Sequence, residues 1–152
     1  VRGPWVASGY FKGDGADSFT SDGWFATGDV SKLHPSGFME ITDRSKDVIK
    51  SGGEWVSSID VENAASDHPE VAMAACIGIR HEKWQERPFL ILQPVPGKKP
   101  NKEEVKSYIL AKCAKWWMPD EIVYQDELPL GATGKILKRE LKIIYKDYYT
   151  NK

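Results

Sequence analysis

Three short stretches of this sequence combine residue types and spacings that could carry chemistry. The first is Thr27-Gly28-Asp29. A carboxylate after a glycine at a strand end can grip two adjacent ribose hydroxyls, as acids do in nucleotide sites; it can equally cap a turn. The second is Asp43-Arg44-Ser45-Lys46-Asp47, followed by Lys50-Ser51-Gly52-Gly53-Glu54. Two glycines let the main chain come close to a ligand, while the bland reading is a solvated charged loop and a tight turn. The third is Leu128-Pro129-Leu130-Gly131-Ala132-Thr133-Gly134-Lys135. Here a small, flexible loop presents an ammonium that can meet a phosphate or carboxylate, or simply meets water. It is not a phosphate-binding P-loop, because that motif requires Ser or Thr after the lysine and Ile136 stands there.

Other features are weaker. Lys135, Lys138, Arg139, Lys142 and Lys146 form a basic helical stripe. A solvated face takes most of the weight there, with nucleic acid or anionic membrane as the minority reading. His34, His68 and His81 show no metal spacing. Trp116-Trp117 favours packing over a ligand platform, although two adjacent side chains cannot both face one core.

The elements that must position these residues come from patterning. The 152 residues are 41% hydrophobic and 28% charged, with 21 basic against 22 acidic residues and a net charge of −1. That is an ordinary globular mix and excludes a strongly basic, nucleic-acid-coating protein as the default. Two distant cysteines, Cys76 and Cys113, without a CxxC argue against a disulfide framework or structural zinc, and a reducing, cytoplasmic setting fits. Residues 1–43 are dense in Gly, Ser and Asp and carry three basic against six acidic residues, while residues 44–152 carry 18 against 16. The charged run at Asp43–Asp47 lies on this boundary, where a hinge would be placed. In the first part, Trp24–Leu33 and Phe38–Thr42 around His34-Pro35-Ser36-Gly37 predict a β-hairpin, with no other regular element before it. In the second part, short strands flank Ser51-Gly52-Gly53, and Ser57-Ser58 caps a helix to Ser66. Val71–Arg80 and Pro88–Val95 are strands. Asn101 caps a helix with Glu103 and Glu104 in its first turn, Glu121–Gln125 is a strand, and Ile136–Tyr148 is a helix with Leu137, Leu141, Ile144 and Tyr148 on one face. The fold class is α+β with a small sheet.

Each motif is ambiguous alone, but their order is not. Thr27-Gly28-Asp29, then DRSKDVIKSGGEW, then Trp84-Gln85-Glu86, then LPLGATGK resembles the C-terminal part of the adenylate-forming superfamily, which contains acyl-CoA synthetases, peptide-synthetase adenylation domains and luciferases. DRSKDVIKSGGEWVSS with KWWMPD is most similar to fatty-acyl-CoA synthetases. The resemblance implies two half-reactions: a carboxylate attacks ATP to give an acyl-adenylate, and CoA then takes the acyl group after the C-terminal domain swings round. It implies that Asp29 and Arg44 contact the ribose. It places Lys46 on the hinge position and implies that Lys135 would be the catalytic lysine of adenylation. Gly52, Gly53 and Glu54 would line the pantetheine approach, with Trp84 against CoA. Trp117 and Met118 stand where the family usually writes Tyr and Lys before the proline; Lys115 is the basic residue at hand.

The same resemblance implies a boundary, with residues 1–45 ending the large AMP-binding domain and residues 46–152 forming the mobile C-terminal domain, a β-hairpin plus a three-stranded sheet with helices. The family's phosphate loop and acyl pocket belong to the large N-terminal domain, which is the implied partner. The chain starts at Val1 and reads as a piece of something longer, expected to be inactive alone. ATP/AMP, CoA and a fatty or related carboxylic acid are the implied substrates. Mg2+ would come with the full-length enzyme and has no ligands expected here. The competing reading is a non-catalytic module of the same fold that holds CoA or a partner domain.

Overall fold

A computed structural model of the chain describes residues 1–13 and 15–149. It contains two compact units, Val1–Lys46 and Asp47–Lys152.

In the first unit a cross-strand ladder forms the expected hairpin, from β1 (Asp29–Leu33) and β2 (Met39–Arg44). The turn between them is closed by His34 N–H to the Phe38 carbonyl and by Gly37 N–H to the His34 carbonyl, both at 2.8 Å. The first strand starts later than the pattern from Trp24 predicts. Gly28 sits at a φ of 75°, which breaks extended backbone just ahead of Asp29. The register shifts by a bulge between Val30 and Ser31. Two single-turn 3-10 helices, Phe11–Gly13 and Ala16–Ser18, precede the hairpin, where none was expected. They lie beside a cluster in which Phe19 and Phe25 pack at 4.9 Å between ring centres, with Tyr10 edge-on to both. That aromatic contact, rather than local propensity, holds the region.

The second unit is built on one central strand. β3 (Ile49–Ser51) and β4 (Glu54–Val56) form a hairpin; β5 (Val71–His81), β6 (Gln85–Pro94) and β7 (Glu121–Tyr124) form a three-stranded group. β6 runs antiparallel to β5 along its whole length and parallel to β7 from Phe89 to Leu92. A single pair, Ser51 with Gln85, joins the hairpin to the group and makes five strands in all. The helices are α1 (Ser58–Ser66), α2 (Lys102–Lys112) and α3 (Lys138–Ile144). The predicted caps are in place: Ser57 Oγ accepts from Asp60 N at 3.1 Å, and Asn101 Oδ1 accepts from Glu103 N at 2.8 Å.

Period-two alternation sends the two faces of β5 and β6 to different cores. Ala74, Cys76, Leu90 and Leu92 pack with Val61, Ala64, Ala65, Val105 and Ile109 of α1 and α2. Ala75, Ile77, Ile79, Phe89 and Ile91 pack on the other side with Leu128 and Leu141. Burial on both faces is why these strands read as unbroken apolar runs. No helix among the described residues is long and apolar enough to cross a membrane.

The third helix departs from its expected span and face. It is regular only over Lys138–Ile144, and Leu141 is its one fully buried side chain; Ile144 is 61% exposed. The cause is non-local. Phe89 of β6 draws in Tyr145 and Tyr148 at ring-centre distances of 4.9 and 4.7 Å, which turns the buried face toward Leu141 and Tyr145. Leu141→Ala should therefore cost about 2–5 kcal/mol in urea denaturation of the purified chain. Ile144→Ala should stay within about 0.5 kcal/mol of the parent; equal losses would contradict this helix orientation.

Candidate functional site

In the first unit the hairpin brings Asp29 and Arg44 directly opposite each other. Arg44 Nε lies 2.9 Å from Asp29 Oδ1, with Asp29 mostly shielded and Arg44 half exposed. The base of the hairpin is fixed around them. The Gly28 carbonyl accepts from both Ser45 N and Ser45 Oγ at 2.8 Å. Asp29 N donates to Thr27 Oγ1 at 3.2 Å. Asp43 is buried, and its Oδ1 accepts from Arg44 N at 2.7 Å. A carboxylate and a guanidinium side by side offer an acceptor and donors together, which is what a vicinal diol requires.

In the second unit a cleft of about 540 Å³ is lined by Ser51, Gly52, Glu54, Trp84, Arg87, Trp116 and Asp120. Its floor is the β3–β4 turn. Gly52 and Gly53 have φ of 62° and 87°, the left-handed conformation that two-residue hairpin loops need. Gly52 N donates to the Trp84 carbonyl at 2.9 Å. A Cβ on Gly52 would lie 2.7 Å from Trp84 Cε3, so the indole is seated on bare backbone, whereas a Cβ on Gly53 would meet open space. Lys83 Nζ lies 4.8 Å from the Trp84 ring centre. Trp116 forms part of the far wall, edge-on to Trp117 at 5.7 Å. The adjacent pair divides its labour: Trp117 packs against the core and Trp116 lines the cleft. Lys115 and Gly53 are not among the lining residues.

The cleft is braced by Arg87, which the sequence reading did not single out. Its Nε and Nη2 donate to Asp120 at 2.6–3.0 Å, Nη1 donates to Ser51 Oγ at 2.8 Å, and Nη2 donates to the Met118 carbonyl at 3.2 Å. The hydrogen bonds to Asp120 raise the guanidinium pKa above its ordinary value against the opposing effect of burial. The only local signal was an arginine at the mouth of an apolar strand; its partners lie 31 to 36 residues away.

Lys135 is exposed on a closed loop. Leu130 bridges Ile136, and Gly131 N donates to the Lys135 carbonyl at 2.8 Å. Gly134, at a φ of 75°, donates to the Gly131 carbonyl at 2.9 Å. Lys135 does not line the cleft. Two members of the basic stripe have acidic partners: the nearly enclosed Lys138 pairs with Glu62 at 2.7 Å, and the partly exposed Lys142 with Asp47 at 3.8 Å. Cys76 and Cys113 are free thiols, and burial followed by the nearby Asp60 pushes the Cys113 thiol pKa up. Among the described residues no group of three or more His, Cys, Asp or Glu side chains could hold a metal ion.

The AMP-binding enzyme C-terminal domain family matches residues 60–135, half of the sequence. The chain belongs to that family. The 3-methylmercaptopropionyl-CoA ligase of Ruegeria lacuscaerulensis is 51% identical over 150 residues, covering 99% of this chain and 28% of that protein. The long-chain-fatty-acid–CoA ligase of Thermus thermophilus is 47% identical over 152 residues, covering 98% and 28%. Among solved structures, ATP-bound MatB from Rhodopseudomonas palustris superposes with a TM-score of 0.86 at 30% identity, covering 97% of this chain and 30% of that one. The chain thus spans about 28% of the length of the curated relatives it matches. In this AMP-binding C-terminal domain the stretch matched by the family runs from α1 to Lys135, and the cleft-lining Trp84, Arg87, Trp116 and Asp120 all fall within it.

The seating of Trp84 gives a direct test. Gly52→Ala should cost about 1–3 kcal/mol from combined left-handed strain and collision with the indole. Gly53→Ala, with open space around it, carries the left-handed strain alone and should cost about 1–2 kcal/mol, less than Gly52→Ala. Urea melts of the two variants should separate in that order, and a Gly52→Ala protein as stable as the parent would unseat the described contact.

Proposed function

We propose that this chain is the C-terminal portion of an acyl-CoA ligase that activates a fatty or related carboxylic acid with ATP and passes the acyl group to CoA. The observation that carries the reading is the glycine-floored, tryptophan-walled cleft of the second unit. A slender pantetheine arm, with amides beside its methylene and gem-dimethyl groups, fits against bare backbone and aromatic surface, and Gly52, Trp84 and Trp116 offer both. The CoA-ligase names of the relatives support the class. They differ in acyl group, so the acid itself is read only as a carboxylic acid of the fatty or related kind.

In the first half-reaction the carboxylate oxygen attacks the α-phosphorus of ATP, the bond to the bridging oxygen breaks, and pyrophosphate leaves. Negative charge grows on the α-phosphate and carboxylate together. An ammonium from Lys135 stabilises that developing charge more than the ground state, which is what lowers a barrier. Asp29 and Arg44 hold the ribose hydroxyls. In the second half-reaction the CoA sulfur attacks the acyl carbonyl, loses its proton, and AMP departs. Lys46 is the pivot between the two poses, and the large N-terminal domain is the partner that brings the phosphate loop and the acyl pocket. Mg2+ accompanies ATP in such chemistry; no residue of this chain is assigned to it. A non-catalytic binding module would have no need of Lys135, Asp29 and Arg44 together.

In the full-length ligase, Lys135→Ala should slow acyl-adenylate formation about a hundredfold or more. It should leave the melting temperature unchanged, because an exposed loop lysine buries little. Thioester formation from supplied acyl-adenylate should survive. Near wild-type adenylation, or loss of both half-reactions together, would remove Lys135 from its role. Lys46→Pro fixes φ at the pivot and should slow the thioester step more than adenylation when the two are timed separately; equal loss would place the pivot elsewhere.

A further inference from the structure

The basic stripe on α3 finds a use that the proposed function does not supply. Lys138 opens the helix, where a cation works against the macrodipole, and Leu137 before it provides no side-chain cap. Yet Lys138 is nearly enclosed. Its Nζ lies 2.7 Å from Glu62 Oε1 and 2.7 Å from Ser58 Oγ, with Lys138 and Glu62 side chains 13% and 15% exposed. Glu62 Oε1 also accepts Cys76 N at 2.7 Å, on the outer edge of β5. One carboxylate oxygen therefore ties α1, β5 and the start of α3. One turn further on, Lys142 reaches Asp47 at 3.8 Å, and Asp47 is the residue directly after Lys46. Lys135 lies three residues before Lys138, on a loop whose exit is closed by Leu137 N to the Pro129 carbonyl at 2.8 Å.

We infer that Glu62, through Lys138, is a positioning residue for adenylation: it clamps the start of α3, and with it the base of the Lys135 loop, to α1 and β5. The inference rests on the role proposed for Lys135. An enclosed, well-formed ion pair fixes geometry more surely than it adds stability, and the geometry at stake is the reach of one ammonium. A flexible lysine delivers its charge only as accurately as the base of its loop is held. In this arrangement Lys138 and Lys142 form an internal brace behind Lys135.

The test uses the full-length ligase with the half-reactions timed separately. Glu62→Gln keeps the shape and the acceptor for Cys76 N but removes the charge. It should lower kcat for adenylation about tenfold or more with KM for ATP nearly unchanged. Thioester formation from supplied acyl-adenylate should stay within twofold or so of the parent. Lys138→Met should behave alike, and Lys138→Arg, which keeps the charge, should restore most of the rate. Adding Glu62→Gln to Lys135→Ala should cause little further loss, because the two act through one ammonium. Normal adenylation in Glu62→Gln, equal loss in both half-reactions, or independent losses in the double variant would each overturn the clamp. If Lys135→Ala itself adenylates normally, the functional reading fails. If Lys135→Ala is inactive in adenylation while Glu62→Gln is normal, only the clamp fails.

Discussion

The second unit depends on the junction at Arg87. Along one edge of β6 the partner changes: β3 pairs at Gln85, and β7 takes over from Phe89. A change of partner leaves a gap in the ladder, and Arg87 stands in it. Its guanidinium reaches Ser51 at the end of β3 and Asp120 just before β7, while Asp120 N donates to the Pro88 carbonyl at 3.1 Å. A planar fork with donors on several sides suits a three-way joint; a point-charged lysine would hold one partner at a time. The same guanidinium lines the cleft, so the joint between β3 and β7 also shapes the site.

The opposite edge is handled differently. β5 is an outer strand, and an outer strand exposes main-chain donors to unwanted pairing. Glu62 takes the Cys76 N–H on that side, and α1 lies along β5 with Val61, Ala64 and Ala65 in the core. A cation thus fills the gap between β3 and β7 alongside β6, and an anion and a helix cover the outer edge of β5. Both faces are buried, so charged side chains at the rim do the joining that apolar packing does elsewhere.

Much of this was legible from local pattern. The runs at Val71–Arg80 and Pro88–Val95 announce strands, Asn101 and the two glutamates after it mark a helix start, and Gly52-Gly53 marks a tight turn. Asp29 and Arg44 were expected in one site and lie together; of Gly52, Gly53 and Glu54, expected with Trp84, Gly52 and Glu54 share its cleft while Gly53 faces open space. What escaped is long-range. Arg87 with Asp120, Lys138 with Glu62, and Phe89 with Tyr145 and Tyr148 are each separated by dozens of residues. Nothing in helical spacing says that an aromatic on a strand will rotate a distant helix away from Ile144. Likewise, the dipeptide Trp116-Trp117 signals that one ring must leave the core, but only the path of the chain into Met118 decides which.

The bulge between Val30 and Ser31 decides the sign of charge facing Asp29. From Leu33 with Met39 through Ser31 with Ile41, the hairpin counts down in step. Continued without interruption, that count would seat Asp43 across from Asp29, and like charges directly opposed repel. One extra residue advances β2 by a single place, so that Arg44 arrives instead and Asp43 pairs with Val30. Because successive side chains alternate faces, the step also sends the second carboxylate away from the first. A single slipped residue thus converts two competing anions into a zwitterionic pair at the mouth of the hairpin.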